Sequence, residues 1–203
     1  MKDSASRFAA PLDIPRPRGA RLLEAFSPKL GRRVRLYDRA TFDQWVRLEA
    51  DPSVLLLCER PARLSTAQDA RLIDFWIRRA DGEQLLLVDS SGSESVPQAI
   101  DGVPLHRISP AELGAAAMWI ANWKRMLPAI IASRGLLLTG LPDTVLMFVR
   151  GPVAISRVEH ELSLGELPEL RGAIFELLRT GHLRAPSLHT HPLSPQTLLE
   201  PAA

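Results

Sequence analysis

Lysine is nearly missing from this chain of 203 residues: of 25 Lys and Arg only Lys2, Lys29 and Lys124 are lysines, and none lies between Leu30 and Trp123. No ammonium from that stretch can orient a nucleophile or neutralise a developing charge there. Cysteine is scarcer still. Cys58 stands alone, which excludes an intrachain disulfide and fits a reducing compartment, and its place in the apolar Val54–Cys58 run reads as a small core side chain rather than a reactive thiol. The chain also lacks an N-terminal apolar h-region and any apolar run near the roughly 20 residues that cross a bilayer. The expectation is a cytoplasmic protein with no membrane partner.

What remains is globular in composition, with 46% hydrophobic and 24% charged residues, and long enough to bury one medium or two small cores. The formal net charge of +2 hides an asymmetry, because Met1–Arg35 carries nine Lys or Arg against three Asp or Glu and the rest of the chain is net acidic. Basic excess confined to one end suits contact with a polyanion; a solvated tail is the commoner use of such a segment.

Residues 1–30 contain Pro11, Pro15, Pro17 and Pro28 and are expected to form a basic, extended arm. Asp38 is placed to cap a helix reaching about Ala50, with Phe42, Trp45 and Leu48 on one face and Asp51-Pro52 as its stop. Val54–Cys58 reads as a strand covered on both sides. Arg71–Arg79 and Gln84–Val88 read as two strands joined at Asp81-Gly82, a two-residue hairpin signal. Ser90–Ser95 is a polar loop, and Val103–Arg107 is a further strand.

The second half changes character. Ser109, Pro110 and Glu112 carry the cap, first-turn proline and capping-box acid of a helix start. Leu113, Ala116, Ile120, Trp123, Leu127 and Ile130 then predict one long amphipathic helix, kinked near Pro128 and stopped by Gly135, with Trp119 and Trp123 as core. Three short helices are expected after it: Thr144–Val149 with Asp143 as cap, Ser156–Leu162 with a Ser156/Glu159 capping box, and Pro168–Arg179 with Ile174, Leu177 and Leu178 inward. A short strand is expected at Leu183–Leu188. Three short helices followed by a β element match a winged-helix or helix-turn-helix layout, in which the last helix reads DNA. That helix offers only Arg171 and Arg179 against Glu169 and Glu176, so a protein-contacting role competes. His182, His189 and His191 lack the partners of a zinc site and read as loop histidines.

Two aspartates sit oddly: Asp74 in Leu72-Ile73-Asp74-Phe75-Trp76, and Asp89 in Leu86-Leu87-Val88-Asp89-Ser90-Ser91. Strand interiors disfavour Asp, and a buried unpaired carboxylate is costly. A shared divalent metal would account for both. Composition alone favours strand-end salt bridges.

Taken in order, "WVRLEADPSVLLLCERPARL", "LIDFW", "DGEQLLLVD", "ANWKRMLP" and "LLRTGHLRAPSLHTHPLS" resemble TnsA, the endonuclease subunit of heteromeric DNA transposases, over most of the chain beyond residue 30. The resemblance implies an α/β fold: a restriction-endonuclease-like mixed sheet flanked by helices over 31–108, followed by a helical, winged-helix-like domain over 109–203. It also implies cleavage at transposon 5′ ends with Mg²⁺ or Mn²⁺, beside a partner transposase and an ATPase regulator.

Such cleavage needs carboxylates to hold a hard divalent ion that activates water and neutralises the phosphate, and a lysine beside them. The resemblance puts Asp74 and Asp89 at the metal-binding positions, Asp38 near the position of an upstream glutamate, and Ser91 where the lysine belongs. Glu49 and Glu59 are other acids nearby. An arginine such as Arg60, Arg71 or Arg78 can stabilise a phosphate but cannot act as a base, since its pKa exceeds about 12. Arg16, Arg18, Arg32, Arg33, Arg35 and Arg171 are the expected DNA-contacting side chains. Three readings follow: a TnsA-like subunit with a degraded active site that works by binding transposon-end DNA and partner proteins; a working Mg²⁺-dependent endonuclease with the lysine role moved elsewhere; and a winged-helix DNA-binding regulator.

Overall fold

The computed structural model describes residues 7–67, 69–89, 96–163 and 167–202. By internal packing the chain divides into two compact units, one of Met1–Leu48 with Ser53–Gly114 and the other of Glu49–Pro52 with Ala115–Ala203. The first is α/β. Among the described residues no helix is long and apolar enough to cross a membrane.

In the first unit the expected arm is only partly an arm. Leu23–Ser27 (β1) pairs antiparallel with Arg32–Leu36 (β2), and the turn is closed by the Gly31 amide on the Ser27 carbonyl with Gly31 at a φ of 66°. Further upstream, Phe8 is buried in a cluster with Cys58, Ile73, Trp76 and Leu85, and the Leu12 amide donates to the Arg60 carbonyl. One aromatic ring and one backbone bond suffice to tie a proline-rich segment to a core that composition alone does not reveal.

Helix α1 (Arg39–Ala50) starts where Asp38 predicts: Oδ1 of Asp38 accepts the Thr41 amide at 2.7 Å. Strands β3 (Leu56–Glu59), β4 (Phe75–Arg79) and β5 (Gly82–Val88) form an antiparallel meander with Asp81-Gly82 at its second turn. After the short β6 (Ala99–Ile100), strand β7 (Val103–Ile108) pairs parallel to β5, with Leu87 opposite Arg107 and Val88 opposite Ile108. The five-stranded mixed sheet runs in the order β3-β4-β5-β7-β6. Its middle is dry: Phe75, Ile77, Leu85 and Leu87 are fully buried. The Ser109/Glu112 capping box forms as read, each residue's amide bonded to the other's side chain, and opens α2 (Pro110–Ala115).

The predicted long helix is divided. Backbone at Ala116 leaves helical geometry, and α3 (Ala117–Ser133) then runs on through Pro128. There follow α4 (Leu141–Phe148), β8 (Val153–Ala154), α5 (Ile155–Leu162), α6 (Leu167–Arg179), β9 (Leu183–Arg184), a 3₁₀ turn at Pro186–His189 and β10 (Leu198–Pro201). The three short strands make an antiparallel sheet in the order β8-β10-β9. Three local expectations are corrected. Asp143 lies in the first turn of α4, and Gly140 is the N-cap. The Ser156/Glu159 box does not form, because the Ser156 amide donates to the Pro195 carbonyl and the Glu159 carboxylate holds Arg171. The strand expected over Leu183–Leu188 ends at Arg184, and Pro186, which has no amide to pair, starts the 3₁₀ turn.

Helix α6 is the hub of this unit. Leu170, Gly172, Ala173, Ile174, Phe175, Leu177 and Leu178 are all buried. It comes close to α3 at Gly172, where a Cβ would lie 2.0 Å from Ser133 Oγ and 2.5 Å from Ser133 Cβ. Gly172→Ala improves helix propensity by about 1 kcal/mol, yet overpacking costs about 1–3 kcal/mol. The clash wins. The variant is expected to be destabilised by up to roughly 2 kcal/mol in urea unfolding, and Ser133→Gly in the same chain should recover most of the loss. Independent, additive losses in the double variant would contradict this close approach.

Candidate functional site

Asp74 sits just before β4, where the chain is held from both sides: its amide donates to the Leu86 carbonyl and its carbonyl accepts the Arg60 amide. Oδ2 accepts the Val88 amide at 2.7 Å, so the carboxylate caps backbone near the end of β5. Arg71 lies close enough to act on its charge and donates through Nη2 to the Val88 carbonyl at 2.7 Å. On the other flank are Asp38 and Thr41. The Thr41 hydroxyl donates to Asp38 Oδ2 at 2.5 Å and lies close enough to act on the Asp74 carboxyl. Asp38 therefore does reach the neighbourhood of Asp74, although its oxygens are occupied with capping α1.

Burial dominates the electrostatics and, helped by the like charge of Asp38, pushes the Asp74 carboxyl up to about 7; the Val88 amide, Arg71 and Thr41 oppose this.

Asp89 is buried, and its amide donates to the Ile108 carbonyl at 2.9 Å, binding the ends of β5 and β7 together. Its Oδ2 forms an ion pair with Arg107 Nη2. Composition's preference for a strand-end salt bridge holds at this residue. Ser91, the position of the expected lysine, lies outside the described residues.

The donor set does not fit a hard divalent ion as it stands. Asp89 is held by a guanidinium, Asp74 Oδ2 takes an amide, and no group of three or more His, Cys, Asp or Glu among the described residues is placed to hold a metal. Glu59 is also committed: it is buried and makes two 2.7 Å bonds to Arg32. That fork engages Arg32, one of the expected DNA contacts, and the Glu59 bond raises its pKa.

The other expected DNA contacts separate into two groups. Arg35 pairs with Glu24 at 2.9 Å and Arg171 with Glu159 at 2.5 Å. Arg16, Arg18 and Arg33 are exposed, and Arg16 bonds the Ala20 carbonyl through Nε. In the second unit His189 stacks on Trp119 at 4.1 Å with planes 2° apart, so it packs rather than dangles. Cys58 is fully buried, and desolvation pushes its thiol to about 12, which removes it as a nucleophile.

Sequence reading missed two residues here. Thr41 has no motif around it; its role follows from the cap that Asp38 makes. Arg107 was read only as the end of a strand, and its partner, 18 positions away, becomes visible once β7 is known to lie beside β5. Compared with known proteins, the chain matches no protein-family model and no curated protein significantly.

Proposed function

We propose that this chain is a TnsA-like subunit of a DNA transposition complex, with a nuclease fold that is catalytically impaired and a role in binding transposon-end DNA and partner proteins, the transposase and the ATPase regulator. The observation that carries the impairment is the Asp89–Arg107 ion pair, which puts a permanent internal cation on a carboxylate that metal-dependent cleavage needs open. The restriction-endonuclease-like reading is supported by a meander β3-β4-β5 followed by a parallel β7, with Asp74 and Asp89 next to each other's strands at one end of the sheet. The winged-helix-like reading is supported by the element order α4, β8, α5, α6, β9, β10. On helix α6 Arg171 pairs with Glu159 and Arg179 with Glu176, which counts against that helix reading a major groove. Protein contact is the better role for the second unit, and the exposed Arg16, Arg18 and Arg33 are the better DNA contacts.

The test is cleavage of end-labelled transposon-end duplexes in Mg²⁺ or Mn²⁺, alone and with the partner transposase, alongside fluorescence anisotropy of binding. The 5′ strands are expected to stay uncut while the duplex is bound. Replacing Arg16, Arg18 and Arg33 by Ala should weaken binding uniformly across sequences and lower the salt slope by about 0.9 for each phosphate that is no longer neutralised. Robust cleavage abolished by Asp74→Ala would instead establish the working endonuclease, the reading that the clustering of Asp74, Thr41 and Asp38 favours.

A further inference from the structure

We infer that Arg107 is the resident cation of this site, standing at Asp89 in place of a divalent metal ion. The inference rests on the nuclease-like reading of the sheet and adds to it the group that has taken over the neutralising role. Arg107 enters from β7, a strand that sequence reading did not connect with Asp89.

The placement is fixed by backbone. Parallel pairing sets Leu87 opposite Arg107 and Val88 opposite Ile108, and the Asp89 amide on the Ile108 carbonyl locks that register at the carboxylate itself. Both partners are shielded, with 10% of the Asp89 side chain and 31% of the Arg107 side chain exposed. A guanidinium cannot lose its proton at any physiological pH, so the neutralisation is permanent and needs no ion from solution. Asp74 has a parallel arrangement, with Arg71 acting on its charge and bonding the Val88 carbonyl. An arginine therefore stands near each aspartate of the expected metal pair, and Arg107 forms an ion pair with its own. A shielded carboxylate that loses its counter-charge must take up a proton or accept another cation, and saturating Mn²⁺ at neutral pH offers it the second.

Three full-length proteins decide this, titrated with Mn²⁺ alone and followed by the free-ion electron paramagnetic resonance signal and by the shift in Tm: wild type, Asp89→Asn and Arg107→Gln. Wild type and Asp89→Asn are expected to behave alike, with no saturable site below about 1 mM. Arg107→Gln is expected to melt lower in EDTA, to bind Mn²⁺ at least roughly tenfold more tightly than wild type, and to regain Tm when Mn²⁺ is added. A wild-type Mn²⁺ site that Asp89→Asn abolishes would overturn the inference, as would a folded Arg107→Gln protein with no gain in binding. If Arg107→Gln does not fold, Asp89→Asn added to it should restore folding by removing the unpaired carboxylate, and failure to do so would overturn the assignment. Duplex binding by the same wild-type sample in EDTA separates the two levels: its loss would sink the transposition reading and leave the assignment of Arg107 untouched.

Discussion

Asp74→Asn is expected to make the folded protein more stable at pH 8 and to flatten its pH dependence between about pH 4 and 7. The carboxyl titrates at about 7 in the folded protein against an ordinary value of 3.8, because burial disfavours its charge. A raised carboxyl pKa means that the folded state holds the proton more tightly than the unfolded state does. The associated stability is therefore fully present below about pH 4, is lost as pH rises through 7, and stays lost above. At 1.36 kcal/mol per pH unit the ceiling is about 4 kcal/mol; relaxation and water entry should reduce it to roughly 1–3 kcal/mol. Asparagine keeps an oxygen for the Val88 amide and supplies an NH₂ toward Thr41, without the charge. Urea unfolding of both proteins at pH 4.5 and pH 8 measures the effect. A difference between variant and wild type that is the same at both pH values would show that Asp74 is already neutral, or already well solvated, across the window.

Asn122→Ala is expected to destabilise the protein by roughly 3–5 kcal/mol, a larger loss than Gly172→Ala causes. Asn122 is buried on α3, and its amide makes three bonds to one distant segment: Nδ2 donates to the carbonyls of Leu188 and His191, each at 2.8 Å, and Oδ1 accepts the Leu193 amide at 2.7 Å. The Leu188 carbonyl, left without a partner in the interior, costs about 1–3 kcal/mol, and loss of the two part-buried bonds about 0.5–1.5 kcal/mol each. Arg125 adds a 3.0 Å bond from Nη1 to the Leu193 carbonyl, one turn further along the same helix. The connection between β9 and β10 is thereby held to α3 in addition to its own turns. Hydrogen exchange gives the specific readout: the Leu193 amide should exchange near the global rate in wild type and much faster in the variant. A loss of less than about 1 kcal/mol would mean that water replaces the side chain.

The features legible in the sequence are those in which the partner is near in the chain. Asp38 caps Thr41 three residues on, Ser109 and Glu112 close a box over the same interval, and Asp81-Gly82 joins two strands on either side of itself. The Ser156/Glu159 motif has the same spacing and fails, because a remote arginine and a remote carbonyl outcompete the local bonds. Burial of Phe8 and pairing of β1 were hidden by the prolines around them. At the site, the anomaly of Asp74 and Asp89 could be read from their apolar neighbours. What neutralises Asp89 could not, since Arg107 is brought to it by the pairing of β5 with β7.

One consequence concerns how this protein can be taken apart. Glu49–Pro52 belongs to the second unit although it lies inside the sequence of the first. Gly181, the stop of α6, approaches Pro52 so closely that a Cβ there would sit 2.9 Å from the Pro52 Cβ, and the charge of buried Glu49 acts on Arg179. A fragment beginning at Ser109 leaves these four residues behind and loses that lining. Inheritance of the second half as a self-contained cassette, by a single cut and join of genes, would have to replace them, so the two halves of this chain are bound to travel together.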